Sequence, residues 1–166
     1  MWVFVVALVG AGAYWFQPWK LVTDTTVNDA LAPVPVASAA PSTSGAENGA
    51  GPVVELRGSF ITHEHDTAGE VRVVRHPDGR RQLELVNLDT SDGPDLRVWL
   101  SDQPVKTGTA GWKVFDDGRY VELGKLKGNR GNQVYDIPAD ADLAALRSVS
   151  IWCKRFSVSF GAAALS

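Results

Sequence analysis

One cysteine, one methionine and three histidines are all the sulfur and imidazole side chains that the 166 residues contain. A lone cysteine excludes an intramolecular disulfide, and with no second thiol a structural zinc site is not assembled. No Cys-x-x-Cys-His run occurs, which excludes covalent c-type haem attachment. The only methionine is Met1, so an axial haem ligand would have to be Cys153 or a histidine. The sequence also lacks a nucleophile elbow and any Ser/His/Asp signature, which argues against a hydrolase. Over residues 53–166 there are 15 Lys and Arg (16 less Lys20) against 16 Asp and Glu (19 less Asp24, Asp29 and Glu47), a formal charge of −1. A near-neutral domain has no electrostatic footprint for nucleic acid.

What is present divides into two unlike parts. Residues 53–166 form a unit of about 114 residues, large enough to bury a core without cross-links. Residues 1–52 read differently. From Trp2 to Phe16 no side chain is charged; as a helix this run covers about 22 Å of a roughly 30 Å hydrocarbon core. Trp15, Trp19 and Lys20 fit an interfacial belt, so residues 1–20 are expected to be a single transmembrane helix. The rival is a cleaved signal peptide, with Ala11-Gly12-Ala13 as the small-residue site, but a basic leader is missing. Lys20 by itself favours a cytoplasmic C-terminal side. Residues 33–52, rich in Pro, Ala and Ser with almost no charge, read as a disordered tether of the kind that holds a domain off the outer face of a membrane. The expectation is a cell-membrane protein with an extracytoplasmic domain. Residues 21–32 are left as a short juxtamembrane turn of helix or strand.

From Val53 the chain is written in strands and turns. Strands are expected over residues 53–64, 69–76, 81–89, 96–100, 119–126 and 133–137, with Pro77-Asp78-Gly79-Arg80 as a hairpin turn. In the third, Leu83, Leu85 and Asn87 are assigned one face and Glu84, Val86 and Leu88 the other. Only Asp140 to Arg147 reads as helical, with an aspartate to start it and barely two turns of length. Such spacing predicts an all-β domain, a β-sandwich or partly closed barrel.

The stretch from Ser148 to Gly161 is the one around which the rest is arranged. Val149, Ile151 and Cys153 share one parity and Phe156, Val158 and Phe160 the other, as in one long bulged strand or two strands meeting at a corner. Cys153 is the candidate redox residue, against the plain alternative of a small buried hydrophobe. Lys154 and Arg155 would lower its pKa if their charges reached it, Arg155 being better placed. His63 and His65, two apart, would share a face on a strand and are the candidate second ligands to a metal or to a noncovalent haem; the alternative is an exposed polar edge. His76, before a turn, is expected to face solvent. Asp89, Asp92 and Asp95 offer oxygen ligands without EF-hand spacing, and the glycines from Gly124 to Gly131 lack Walker spacing; both are read as turns.

Several of these motifs, taken in order, resemble one family. Gly93-Pro-Asp-Leu96 with a following Val-x-Leu strand, Leu123-Gly-x-Leu-Lys-Gly-Asn129, Gly131-Asn-Gln-x-Tyr135, Ile137-Pro138 and Val149-x-Ile-Trp-Cys-x-x-Phe-x-Val-x-Phe-Gly161 are similar to the DM-thirteen domain of Skeletor-type proteins. The resemblance spans roughly residues 54–166. It implies a β-sandwich related to the DOMON cytochrome-like domains, of jelly-roll type, and an electron-transfer role centred on the cysteine, here Cys153, as a redox thiol or as ligand to a prosthetic group such as haem. Bacterial members often carry an N-terminal membrane anchor, in keeping with residues 1–20. The competing expectation is a non-enzymatic adhesion, envelope-organising or ligand-binding module in which Cys153 only fills the core.

Overall fold

The computed structural model describes residues 23–34 and 51–166. The expected transmembrane helix over 1–20 and most of the expected tether lie outside these residues. Among the described residues no helix is long and apolar enough to cross a membrane.

Among the described residues nine strands make one curled sheet: β1 (Thr26–Asn28), β2 (Val53–Thr62), β3 (Ala68–Arg75), β4 (Arg81–Asp89), β5 (Leu96–Ser101), β6 (Tyr120–Lys125), β7 (Arg130–Ile137), β8 (Ser148–Cys153) and β9 (Val158–Ala164), in the spatial order β1-β7-β4-β3-β2-β9-β8-β5-β6. All neighbours are antiparallel except β1 and β7. Strand β2 carries the curl. Its first part, from Val53 to Ser59, pairs with β3, and its last three residues, Phe60 to Thr62, pair with β9. The two halves of the sheet therefore face each other in sandwich-like fashion, as the alternating pattern predicts. Val71, Val73, Leu83 and Leu85 from one half meet Val98, Leu100, Val149, Ile151 and Cys153 from the other in a single core. The tail ends on this arrangement too, with Leu165 buried and Ser166 exchanging backbone hydrogen bonds with Arg57.

A second, smaller core lies on the other face of β5 and β8, where Trp99, Trp152, Phe115 and Ala162 cluster. The stretch from 102 to 119, including a short 3-10 helix at Gly108–Gly111, covers it. Phe115 is fully buried there.

Three local expectations are corrected. Asp140 to Arg147 is not a helix but a run of turns. Asp142, not Asp140, accepts the backbone N–H groups of Ala144 and Ala145, and Ala141, Leu143 and Leu146 go into the core at a spacing no single helical face provides. The region 148–161 is neither a bulged strand nor a corner but a hairpin, with Lys154 to Ser157 as its turn and Ser157 at φ 49°. Leu88 joins Leu83 and Leu85 in the core because Asn87, at φ 50°, forms a bulge that shifts the register of β4 by one face.

Residues 23–34 are built onto the sheet as a strap. β1 pairs with β7, Thr25 N–H donates to Asn129 Oδ1 at 2.7 Å, and Lys127 Nζ meets Asp29 Oδ2 at 2.5 Å. Further on, Ala32 N–H donates to Glu84 Oε1 at 2.7 Å and Ala32 O accepts from Arg72, which is itself ion-paired to the buried Glu84 carboxylate. Few of these contacts are apolar, so hydrophobic periodicity does not reveal the segment.

Candidate functional site

Cys153 ends β8, paired across the ladders with Leu96 of β5 and Val158 of β9. It is a free thiol with no exposed surface, packed in the main core. Burial pushes its pKa above the ordinary thiol value, and the charge of Glu64 adds to the rise. Backbone contributions from Phe156, Arg155 and Asp95 act in the opposite direction without cancelling the rise. The thiol is therefore neutral at ordinary pH.

The expected help from neighbouring cations is not found. Lys154 turns its ammonium to Glu122, at 3.1 Å, and the charge of Arg155 is not among the influences on the thiol.

His63 and His65 do not share a face, because β2 ends at Thr62 and both residues lie in bends. His63 is buried; its Nε2 is 3.0 Å from Lys106 O and its Nδ1 is 2.9 Å from Ser159 Oγ, with Ser150 Oγ 2.9 Å further along. A carbonyl can only accept, so Nε2 carries the proton and Nδ1 accepts from Ser159. Burial lowers the His63 pKa, with the Lys106 contact a smaller opposing effect. Its ring also lies 5.9 Å from that of Phe115. His65 instead stacks on Phe160, centroids 3.9 Å apart. Both nitrogens of His63 are thus engaged, and among the described residues no three of His, Cys, Asp and Glu converge on a common point. These donors do not fit a haem or metal centre built from Cys153, His63 and His65. His76 is half-buried, with Nε2 2.7 Å from Gln82 Oε1.

The aspartate loop is turn chemistry. Asp92 accepts from Thr23 Oγ1 and Gly93 N–H, Asp95 pairs with Arg97 at 2.7 Å, and Asp89 lies 3.4 Å from Arg130. Asn129 and Gln133, from the glycine-rich stretch, are buried polar residues rather than a phosphate cradle. Asn129 Nδ2 donates to Thr90 O and Gln133 Nε2 to Gly128 O. Gly161 has a steric reason: a Cβ there would sit 2.5 Å from Thr67 Cβ.

Two features are additional to the sequence reading. A cleft of about 190 Å³ is lined by Thr25, Asp92, Asp95, Leu96, Lys125 and Lys127. Leu96, which lines this cleft, is also the β5 residue paired with Cys153. The other feature is an aromatic stack on the opposite side of β8, running from Tyr120 through Trp99 to Trp152. Trp99 and Trp152 are visible in the sequence as tryptophans on strands, but only the pairing of β5 with β8 brings them together.

No curated protein and no solved structure shows a significant match to the chain. A family model described as Electron transfer DM13 matches residues 59–165, from the end of β2 to the tail, and so contains Cys153 and the aromatic stack. With well over half of its length covered by that match, the chain belongs to the electron transfer DM13 family.

Proposed function

We propose that this is an electron-transfer domain whose redox centre is the Cys153 thiol itself, held at the outer face of a membrane by residues 1–20. The observation that carries the reading is the electron-transfer family match over residues 59–165, which takes in Cys153, the single thiol of the sequence. In oxidation by a one-electron acceptor, the thiol gives up one electron and its proton and the acceptor is reduced by one. Family membership supports electron transfer as the role; the assignment to Cys153 rests on its being the single thiol of the sequence.

The strap sharpens the membrane reading. Thr23 is docked beside Asp92, three residues after Lys20, a reach of about 11 Å at full extension. With residues 1–20 in a bilayer, the Asp92–Asp95 corner stays near the lipid surface.

One observation favours a second reading, an adhesion or ligand-binding module in which Cys153 is only packing: the thiol has no exposed surface. Thiol state in the native membrane separates the two. The redox reading expects a fraction of Cys153 to be recovered oxidised, changing with the electron supply of the cells; a fully reduced thiol under every condition, with function intact in Cys153→Ala, supports packing. A cysteine introduced as Ser42→Cys should react with an impermeant maleimide in intact cells, and absence of labelling contradicts the outward placement.

A further inference from the structure

Trp99 is the middle member of a stack that crosses from the protein surface to the residue beside Cys153. Tyr120, on the edge strand β6 and 44% exposed, lies nearly parallel to the Trp99 indole, centroids 3.9 Å apart and planes at 8°. Trp99 lies 5.0 Å from Trp152, at 22°. Both tryptophans are buried, and Trp152 is joined to Cys153 by one peptide bond. Indole and phenol are, with the thiol, the side chains most easily oxidised by one electron, and rings this close exchange electrons far faster than groups separated by aliphatic packing.

The surroundings of Trp99 suit a ring that becomes transiently positive. Its Nε1–H donates to Glu122 Oε2 at 3.2 Å. Burial opposes ionisation of Glu122, but hydrogen bonds from Lys154 and Trp99 and the charges of Arg97 and Lys154 prevail and keep its pKa low. A carboxylate on the indole N–H stabilises the oxidised ring and offers its proton a place to go. Filling a small core requires neither that carboxylate nor a ring stacked out to the surface.

We propose that the Tyr120–Trp99–Trp152 stack is a one-electron relay between Cys153 and a high-potential metal oxidant that meets the protein at the exposed Tyr120. It rests on the reading of Cys153 as the redox centre. The metal oxidant takes one electron from the stack, the vacancy passes to Trp152, and the Cys153 thiol fills it. The S–H bond is the only bond broken: the sulfur ends as a neutral thiyl, the metal oxidant is reduced by one electron, and the aromatic residues end as they began. The thiol proton goes to water.

The test uses the full chain and photogenerated tris(bipyridine)ruthenium(III) as the metal oxidant, with indole radicals followed by transient absorption and the Cys153 peptide by mass spectrometry. In the wild type an indole radical should form and decay as the thiol is lost. Trp99→Phe keeps a stacked ring that is much harder to oxidise and should slow thiol loss by about tenfold or more. Glu122→Gln, which leaves all three rings in place, should slow it by a smaller factor and gives the answer if Trp99→Phe fails to fold. Thiol loss at the wild-type rate in a folded Trp99→Phe or in Glu122→Gln overturns the relay while leaving Cys153 as redox centre. Indole radicals that persist in the wild type with the thiol intact overturn the redox assignment of Cys153 and the relay with it.

Discussion

Trp152 and Cys153 are consecutive residues whose side chains enter different cores: the indole packs with Trp99 and Phe115 on one face of β8, and the thiol with the main core on the other. The alternation of a β-strand makes this unavoidable. It also makes the two residues separately testable. Trp152→Ala should empty the smaller core and destabilise the domain by about 3–5 kcal/mol, as large-to-small aromatic changes do. Cys153→Ser places a hydroxyl in the main core and should cost about 1–3 kcal/mol. Urea denaturation of both variants checks the ordering; a larger loss in Cys153→Ser than in Trp152→Ala would contradict it.

The thiol's raised pKa predicts a pH dependence with a definite sign. In the unfolded chain Cys153 ionises near its ordinary value of 9.0, while the native state keeps the proton to higher pH. The native state therefore binds more protons above that value, and stability falls as pH rises through it. Tyr135, pushed up to about 12 chiefly by burial, adds a loss of the same sign above its ordinary value of 10.0. Cys153→Ser should flatten the first part of the alkaline decline and leave the second. The wild-type thiol should resist alkylation at neutral pH in the native state and react at once in urea.

His63 gives the opposite limb. Its folded pKa lies below 6.5 because burial disfavours the cation, so the unfolded chain takes up a proton that the native chain refuses. The stability associated with His63 is complete above pH 6.5 and is lost as pH falls towards its folded value. Thermal unfolding between pH 7 and pH 5 should show this decline, and His63→Phe should reduce its slope. An unchanged slope would place the titration elsewhere.

Glu84 anchors the strap. It is fully buried, with Arg72 on one carboxylate oxygen and Ala32 N–H on the other. Arg72→Met leaves that carboxylate without its cation, for which a loss of about 3 kcal/mol is expected. Hydrogen exchange at Ala32 and in β1 should quicken more than in β8. Uniform exchange across the sheet would show that the strap is not a separate unit.

Strands and turns were legible where side-chain parity and turn residues agreed, as in the hairpin of β3 and β4 around Pro77 to Arg80. The hairpin of β8 and β9 was hidden because its turn contains neither Gly nor Pro and relies on Ser157 at positive φ. His63 and His65 were misplaced because period-2 reasoning holds only while the strand continues, and β2 stops at Thr62. Asp140 to Arg147 had the composition of a helix without the length or the spacing of one. That Cys153 lies on a strand is legible from parity; its pairing with Leu96, 57 positions away, is not. The strap is illegible for the same reason, its partners Glu84 and Asn129 being distant in sequence.

The most direct measurement is an anaerobic titration of the full chain with a stoichiometric one-electron oxidant, following electron paramagnetic resonance and the mass of the Cys153 peptide in the wild type and in Cys153→Ser. The account predicts that the first equivalent is consumed at sulfur in the wild type, with a sulfur-centred radical or its oxidised product confined to Cys153, and that this equivalent is missing in Cys153→Ser. Identical uptake by the two proteins, with the Cys153 thiol unchanged throughout, would contradict it.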